Sequence, residues 1–380
     1  MTSGELDWTG HARRLADLLR DRGDVEDPRW YDAFAQVPRH LFVDRAYEQD
    51  NTGQWIHWAT DAHWDRVYAP KTLVTALDSR RGYPEPASSS TNPELMARML
   101  EILAVGDGHR VLEIGTGTGY NAALLSHRLG SPLVSTVDID SELVSVARRR
   151  LNSVGYFPTV AAVDGAGGLA WRGPFDRIIA TCSVPAVPMS WAHQLAPGGT
   201  VLVDFKLAIS AGNLVHLRKQ DDGTLSGRFV PRWASFMAMR HDSDRFDSAP
   251  QADPDTAVPG YTTCPPRAWE HPVPWFLAAL HLPPGVLYGP RFDDNRKPVA
   301  ATYSSVDGSW AEVGFYAEDE RRAVTQAGPI RLWDHIERGF RAWDDAGKPG
   351  WERLGLTVTP DGQTVWLDDP SGPRWKVEQW

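Results

Sequence analysis

The chain has 380 residues, 42% of them hydrophobic, and a formal net charge of −10 at pH 7. That is enough length for two or three domains with an ample core, and the acidic balance argues against generic binding to nucleic acid or anionic lipid, both of which need a basic surface. The N-terminal MTSGELDWTGHARR has no apolar h-region, no apolar run reaches membrane-spanning length, and Cys182 and Cys264 make neither a disulfide framework nor a zinc cluster, so the expectation is a soluble protein of a reducing cytoplasm without a metal.

Leu15, Leu18 and Leu19 share one side of an amphipathic helix predicted over residues 11–20, and a second helix is expected around Trp30 to Ala35. The stretch from Asn51 to Pro86 is rich in Trp, His and Asp with weak periodicity and reads as loops with short strands. Residues 1–86 are thus a helical N-terminal cap and loops. Asn92-Pro93 supplies an N-cap and a first-turn proline, followed by the apolar stripe Leu95, Met96, Met99, Leu100 and Leu103. From Val111 strand and helix alternate: strands over 111–114, 134–138, 160–163, 177–181 and 201–204, helices over 120–129, 141–152 and 191–195. This predicts an α/β, Rossmann-like, doubly wound sheet over residues 87–240. Two β runs, Asn213 to Arg218 and Arg228 to Trp233, are expected to close it as antiparallel edge strands.

Asp242 to Pro266 is Asp-, Pro- and Ser-rich, so residues 241–266 read as a linker. Beyond it, hairpins turning at Asp307-Gly308 and Asp361-Gly362 flank a helix that carries Leu332, Trp333, Ile336, Phe340 and Trp343 on one face. A smaller α+β C-terminal domain over 267–380 follows. Nine of the seventeen tryptophans lie after residue 240; most belong to core, and several are suited to line a peptide-binding surface.

The most informative string is VLEIGTGTGYNAALL at 111–125, a buried strand, a glycine turn and a helix start. Gly115, Gly117 and Gly119 let the backbone approach a ligand closely. A dinucleotide fingerprint would place its third glycine where Tyr120 stands. The E-x-G-x-G-x-G spacing from Glu113 suits S-adenosylmethionine better. Asp138, at the end of the next strand, is placed to accept both hydrogen bonds of a ribose diol, and Asp164-Gly165 follows the third strand, where adenine would lie. The cofactor pocket is therefore assigned Glu113, Gly115, Thr116, Gly117, Gly119, Tyr120, Asn121, Asp138, Ile139, Asp164, Gly165 and Thr181.

Over roughly residues 10–240 the chain resembles the protein-L-isoaspartate O-methyltransferases, on VPRHLFVDRAYEQD (37–50), SSSTNPELMA (88–97), the glycine loop, and the run from Asp164-Gly165 through PFDRIIAT to LAPGGTVLV. Its SSSTNPELMARMLE, its ATCSVPAVPMSWAHQLAPGG and its C-terminal extension look closer still to the methyltransferases that accompany ATP-grasp peptide ligases and modify graspetide precursors. The resemblance implies a class I S-adenosylmethionine-dependent methyltransferase fold. It further implies methylation of an Asp side chain in a ribosomally made, ligase-cyclised precursor peptide, giving aspartimide or isoaspartate. In that family a serine in the loop before the long helix faces the substrate carboxylate. Thr91 holds that position here, with Asn92 in place of glutamine.

A carboxylate is already ionised at neutral pH, so positioning matters more than a general base. Ser89, Ser90 and Thr91 lie just ahead of a helix N-terminus, which favours an anion. Ser90 and Thr91 are assigned to carboxylate positioning, with Ser89, Asn92 and Cys182 as substrate-pocket residues; the bland alternative is that Thr91 and Asn92 only cap the helix. Other functions in view are repair of isoaspartyl sites, non-catalytic peptide binding on a cofactor fold, and, weakly, an NAD-dependent oxidoreductase.

Overall fold

The computed structural model describes residues 8–61, 63–79, 82–208, 210–241, 257–283 and 285–377. Two helices open it, α1 (Trp8–Asp21) and α2 (Pro28–Gln36), the first burying Ala12, Leu15, Ala16 and Leu19. Asp27 starts α2 by accepting the Arg29 N–H. Next come β1 (Arg45–Gln49), β2 (Trp55–Ala59), the short α3 (Trp64–Val67), β3 (Leu73–Asp78) and β4 (Glu85–Ser90). These strands form an antiparallel sheet in the order β2-β1-β3-β4. More regular structure stands there than the weak periodicity of 51–86 suggested. The reason is that β2 and β3 are only partly covered on both faces, so no clean alternation of polar and apolar residues is imposed.

After α4 (Pro93–Leu103) the α/β alternation runs β5 (Val111–Ile114), α5 (Tyr120–Leu129), β6 (Val134–Asp138), α6 (Ser141–Ser153), β7 (Thr159–Ala162), β8 (Phe175–Val184), α7 (Met189–Gln194), β9 (Leu195–Ala208), β10 (Ala211–Lys219) and β11 (Leu225–Phe229). Strands β5 to β9 pair in parallel, and every residue of β5 is buried. A strand covered on both faces reads as the continuous apolar run seen in the sequence.

The remainder comprises β12 (Val258–Thr262), α8 (Pro272–Ala279), β13 (Leu287–Phe292), β14 (Pro298–Ser304), β15 (Trp310–Glu318), β16 (Arg321–Ala327), α9 (Leu332–Asp345), β17 (Leu354–Thr359), β18 (Gly362–Leu367) and β19 (Arg374–Val377). Strands β12 to β16 make an antiparallel sheet in the order β12-β16-β15-β14-β13. The last three do something else: β17 pairs with β11, and the central sheet runs β19-β18-β17-β11-β10-β9-β8-β5-β6-β7 among the described residues.

Three expectations are corrected, and one helix is new. Strands β10 and β11 lie inside the sheet rather than at its edge, because β17 covers β11; β11 also ends at Phe229, before the expected Trp233. Residues 267–380 do not share one sheet of their own, since 354–377 return to the central one. Part of the expected linker, Val258–Thr262, is a strand paired with β16; residues 242–256 lie outside the described residues. Helix α8 went unforeseen because it is buried on all sides, Val273 to Ala279, so it carries no amphipathic period. Gly339 of α9 sits against Ala278 so closely that no side chain fits between the two helices.

Candidate active site

A cleft opens at the carboxyl ends of β5, β6 and β8, where a doubly wound sheet binds ligands. The glycine turn forms its floor: Gly115, Gly117 and Gly119 have φ of +96°, +50° and +88°. A Cβ at Gly115 would stand 2.7 Å from Thr181 Oγ1, and one at Gly119 3.1 Å from Ala147 Cβ. Thr181 Oγ1 donates to the Gly115 carbonyl at 2.8 Å, fastening the turn to β8.

Asp138 ends β6 and accepts the Gly117 N–H at 2.9 Å and the Asp140 N–H at 3.2 Å. Glu113 is buried beneath the turn, where Asn121 Nδ2 donates to one of its oxygens at 2.8 Å and Thr136 Oγ1 to the other at 2.7 Å. Burial pushes its carboxyl up to about 7, against the pull of those two donors and with a further upward push from Asp138. At the opposite end Gly165 lies against Ile114 Cγ2, with no room for a side chain, and its carbonyl accepts Trp191 Nε1 at 2.8 Å.

The side nearest α4 is built from the end of β4. A Cβ on Gly117 would meet the Ser89 carbonyl at 3.6 Å, so the serine run and the glycine turn face each other. Ser88 to Thr91 all line the cleft, with Ser88 and Ser90 buried. Behind them Arg39 is fully buried. Its guanidinium donates to the carbonyls of Val67 (2.7 Å), Ala69 (3.1 Å), Lys71 (3.2 Å) and Thr91 (3.2 Å), and to Ser90 Oγ (3.3 Å). Burial lowers its pKa to about 10, so it stays charged at neutral pH.

Most of the sequence-assigned residues converge here: Ser89, Ser90, Thr91, Glu113, Gly115, Thr116, Gly117, Tyr120, Asn121, Asp138, Ile139, Gly165, Thr181 and Cys182 line one cleft. Three stand off its lining. Gly119 serves as the N-cap of α5; Asn92 caps α4 by accepting the Glu94 N–H at 3.0 Å; Asp164 accepts the Ala166 N–H and faces His241 Nδ1 at 3.0 Å. Asn92, assigned to the substrate pocket, is seen here as the cap of α4. Cys182 is wall: desolvation, with Asp138, Asp204 and Glu113 nearby, pushes its thiol up to about 12, far from a thiolate at neutral pH.

Sequence reasoning missed the roof. Met237 to Arg240 line the cleft, held beside β8 by hydrogen bonds from the Ser183 N–H to the Met237 carbonyl and from the Met239 N–H to the Ser183 carbonyl, 2.8 Å each. The apolar Phe236-Met-Ala-Met run was the available signal. Arg39 was also missed; it lies in the quoted VPRH string, and a cation beside so many apolar residues was the clue. A second groove adjoins the cleft, lined by Ala166, Pro185 to Met189, Met239, His241 and the tip of the β17–β18 hairpin, Thr359 to Gln363. Gln363 fixes that tip by exchanging two hydrogen bonds with the Val187 backbone, at 3.0 and 3.1 Å.

The residues fit S-adenosylmethionine. The turn admits no side chain at Gly115 and little at Gly119, Asp138 stands at the β6 end, and two buried polar atoms of the lining, Tyr120 OH and Asn121 Oδ1, have no hydrogen-bond partner among the described residues. Glu113, Gly115 to Gly117, Tyr120, Asn121, Asp138 and Ile139 would hold it. Among the described residues no cluster of three or more acidic, His or Cys side chains could take a metal, and no helix is long and apolar enough to cross a membrane.

Residues 11–234 match the family model for protein-L-isoaspartate(D-aspartate) O-methyltransferase. Protein-L-isoaspartate O-methyltransferase 1 of Archaeoglobus fulgidus is 33% identical over 239 residues, 61% of this chain and 97% of that protein. The Koribacter versatilis protein-L-isoaspartate O-methyltransferase is 35% identical over 193 residues, covering 50% of this chain and 74% of that protein. A solved structure titled protein-L-isoaspartate O-methyltransferase superposes with a TM-score of 0.57 at 24% identity, covering 94% of this chain and 99% of the other, so the fold is shared well beyond the cofactor domain. With the glycine cradle and Asp138 in one cleft, these matches place the chain in the protein-L-isoaspartate O-methyltransferase family, as an S-adenosylmethionine-dependent carboxyl methyltransferase of class I fold.

Proposed function

We propose that the chain methylates the side-chain carboxylate of an aspartyl residue in a ribosomally made peptide that an ATP-grasp ligase has already cyclised. The observation that supports a peptide substrate is the second groove: the β17–β18 hairpin tip extends the cleft past Met239, giving the protein surface with which to read a peptide around its reactive residue.

S-adenosylmethionine, when bound, supplies an electrophilic methyl on a sulfonium. The protein's part is placement. Ser89, Ser90 and Thr91 sit at the N-terminus of α4, where hydroxyls, N–H groups and the helix dipole favour an anion. A carboxylate with an ordinary pKa of about 4 arrives ionised, so no base is required. Charge is neutralised as the methyl moves, and the buried cleft does not oppose that change. The backbone N–H following the methylated residue can then attack the ester carbonyl: a C–N bond forms, the C–O bond breaks, and the N–H proton leaves with methoxide as methanol. An aspartimide results, and its hydrolysis gives isoaspartate.

The second reading is repair, with isoaspartyl residues of damaged proteins as substrate. It is favoured by the Archaeoglobus fulgidus relative, whose name states that activity and which this chain matches over 97% of its length. Mass spectrometry separates the two. The protein is incubated with S-adenosylmethionine and the precursor peptide encoded beside it, linear or ring-closed, or with a generic isoaspartyl peptide. Gain of one methyl followed by loss of methanol, on the ring-closed peptide alone, is the expected result. Methylation of the isoaspartyl peptide with both precursors unchanged would establish repair.

A further inference from the structure

Arg39 is a fully buried cation without a carboxylate partner among the described residues, placed directly behind the serine run. Its donors are met by four backbone carbonyls and by Ser90 Oγ. Hydrogen bonding is therefore satisfied, and charge is not. A buried charge is costly unless something compensates it, and neutral residues could have tied the 67–71 segment to Thr91. Ser90 Oγ accepts from Arg39 and keeps its own proton to donate into the cleft it lines. The Tyr120 ring, 5.8 Å from the guanidinium carbon, walls the cation off on the cofactor side.

We propose that Arg39 is the built-in counter-charge for the substrate carboxylate, acting through Ser90 and the Thr91 backbone as a positioning residue that makes the site select an anion. The inference rests on the reading of Ser89 to Thr91 as the carboxylate site. Its sign separates it from a scaffold role. In the ground state the carboxylate carries a full charge that Arg39 attracts; as the methyl arrives that charge disappears and the attraction with it. Arg39 thus lowers the peptide KM and does not raise kcat.

The test compares two ligands in the presence of S-adenosylhomocysteine, which cannot transfer a methyl. One is a methylatable peptide, either an isoaspartyl hexapeptide or the ring-closed precursor, whichever the protein modifies. The other is the same peptide with the reactive carboxylate replaced by carboxamide. The wild-type protein is expected to prefer the carboxylate by about tenfold to a hundredfold, the range of a partly desolvated charge pair. In Arg39→Gln that preference falls to within about threefold while the carboxamide binds as before, and Arg39→Lys keeps most of it. Loss of affinity for both ligands alike, or an unchanged preference, would overturn the proposal and leave Arg39 a structural strut. Should Arg39→Gln not fold, the uncharged and apolar Arg39→Met takes its place and is read in the same way: a lost preference for the carboxylate with unchanged carboxamide binding supports the proposal, and a retained preference sinks it. If the wild-type protein methylates neither peptide, or shows no preference for the anion, the carboxylate site itself has been misread.

Discussion

Glu113 shows how one buried carboxyl can tie cofactor affinity to pH. Its oxygens face Asn121 Nδ2 and Thr136 Oγ1, with Thr116 bonded to Thr136 and Asp138 close enough to push its pKa upward. With a folded-state pKa of about 7 against an ordinary 4.5, the folded protein holds the proton that the unfolded chain has released. Its contribution to stability is therefore full below about pH 4.5 and is lost as pH rises through 7, about 3 kcal/mol for this group alone. Glu113→Gln, whose amide can keep both partners, is expected to flatten that decline when urea midpoints are measured from pH 5 to 8. The ionised form would also attract a cationic ligand held in the cleft that Glu113 lines. S-adenosylmethionine should bind roughly fivefold to tenfold more tightly at pH 8 than at pH 6 by calorimetry, a dependence absent from Glu113→Gln and weaker for S-adenosylhomocysteine, which lacks the sulfonium charge. Equal slopes in the wild type and the variant would assign the effect to another group.

At the scale of the element, α4 is where local sequence rules and the site meet. Asn92 accepts the Glu94 N–H, Pro93 opens the helix, and the two residues before them line the cleft. Asn92→Ala is expected to cost about 1 kcal/mol, read as a lowered urea midpoint with unchanged m-value, while Asn92→Asp, an equally good cap, stays near wild type. If the alanine variant lost far more, the loop would be relying on Asn92 for a contact beyond the cap. This helix, the glycine turn and Asp138 were legible because each rests on short-range chemistry: a cap, a positive φ, a strand end. Helix α8 and the β1–β4 sheet were not, for opposite reasons: the one is covered on every side, the other half-covered on both faces, and neither leaves an amphipathic period. Arg39 escaped notice because its significance lies in contacts with Val67 to Lys71 and Ser90 to Thr91, segments far from it in the chain.

The whole molecule is bound together by pairing that no local signal announces. The LTVT and TVWL runs were visible as a hairpin, but nothing within them says that β17 lies against β11, Leu225 opposite Val358 and Arg228 opposite Gly355. Leu354, Leu356, Val358, Val365 and Leu367 enter the same core as Val215, Phe229 and Trp191, and α8 adds Phe276 and Leu277 to it. A chain ending at residue 240 would therefore lose one side of that core and expose the edge of β11, an unpaired strand open to association. Such a chain is expected to aggregate, or to keep far-ultraviolet helix signal while losing near-ultraviolet tertiary signal. An independent cofactor domain followed by a separable C-terminal domain predicts the contrary, a monomer with native near-ultraviolet dichroism that still binds S-adenosylhomocysteine. Circular dichroism and gel filtration of the shortened chain decide between them. Loss of tertiary signal would mean that the hairpin tip beside Met239 and the strand pairing behind it are one device, so the surface that extends the cleft is part of what holds the fold together.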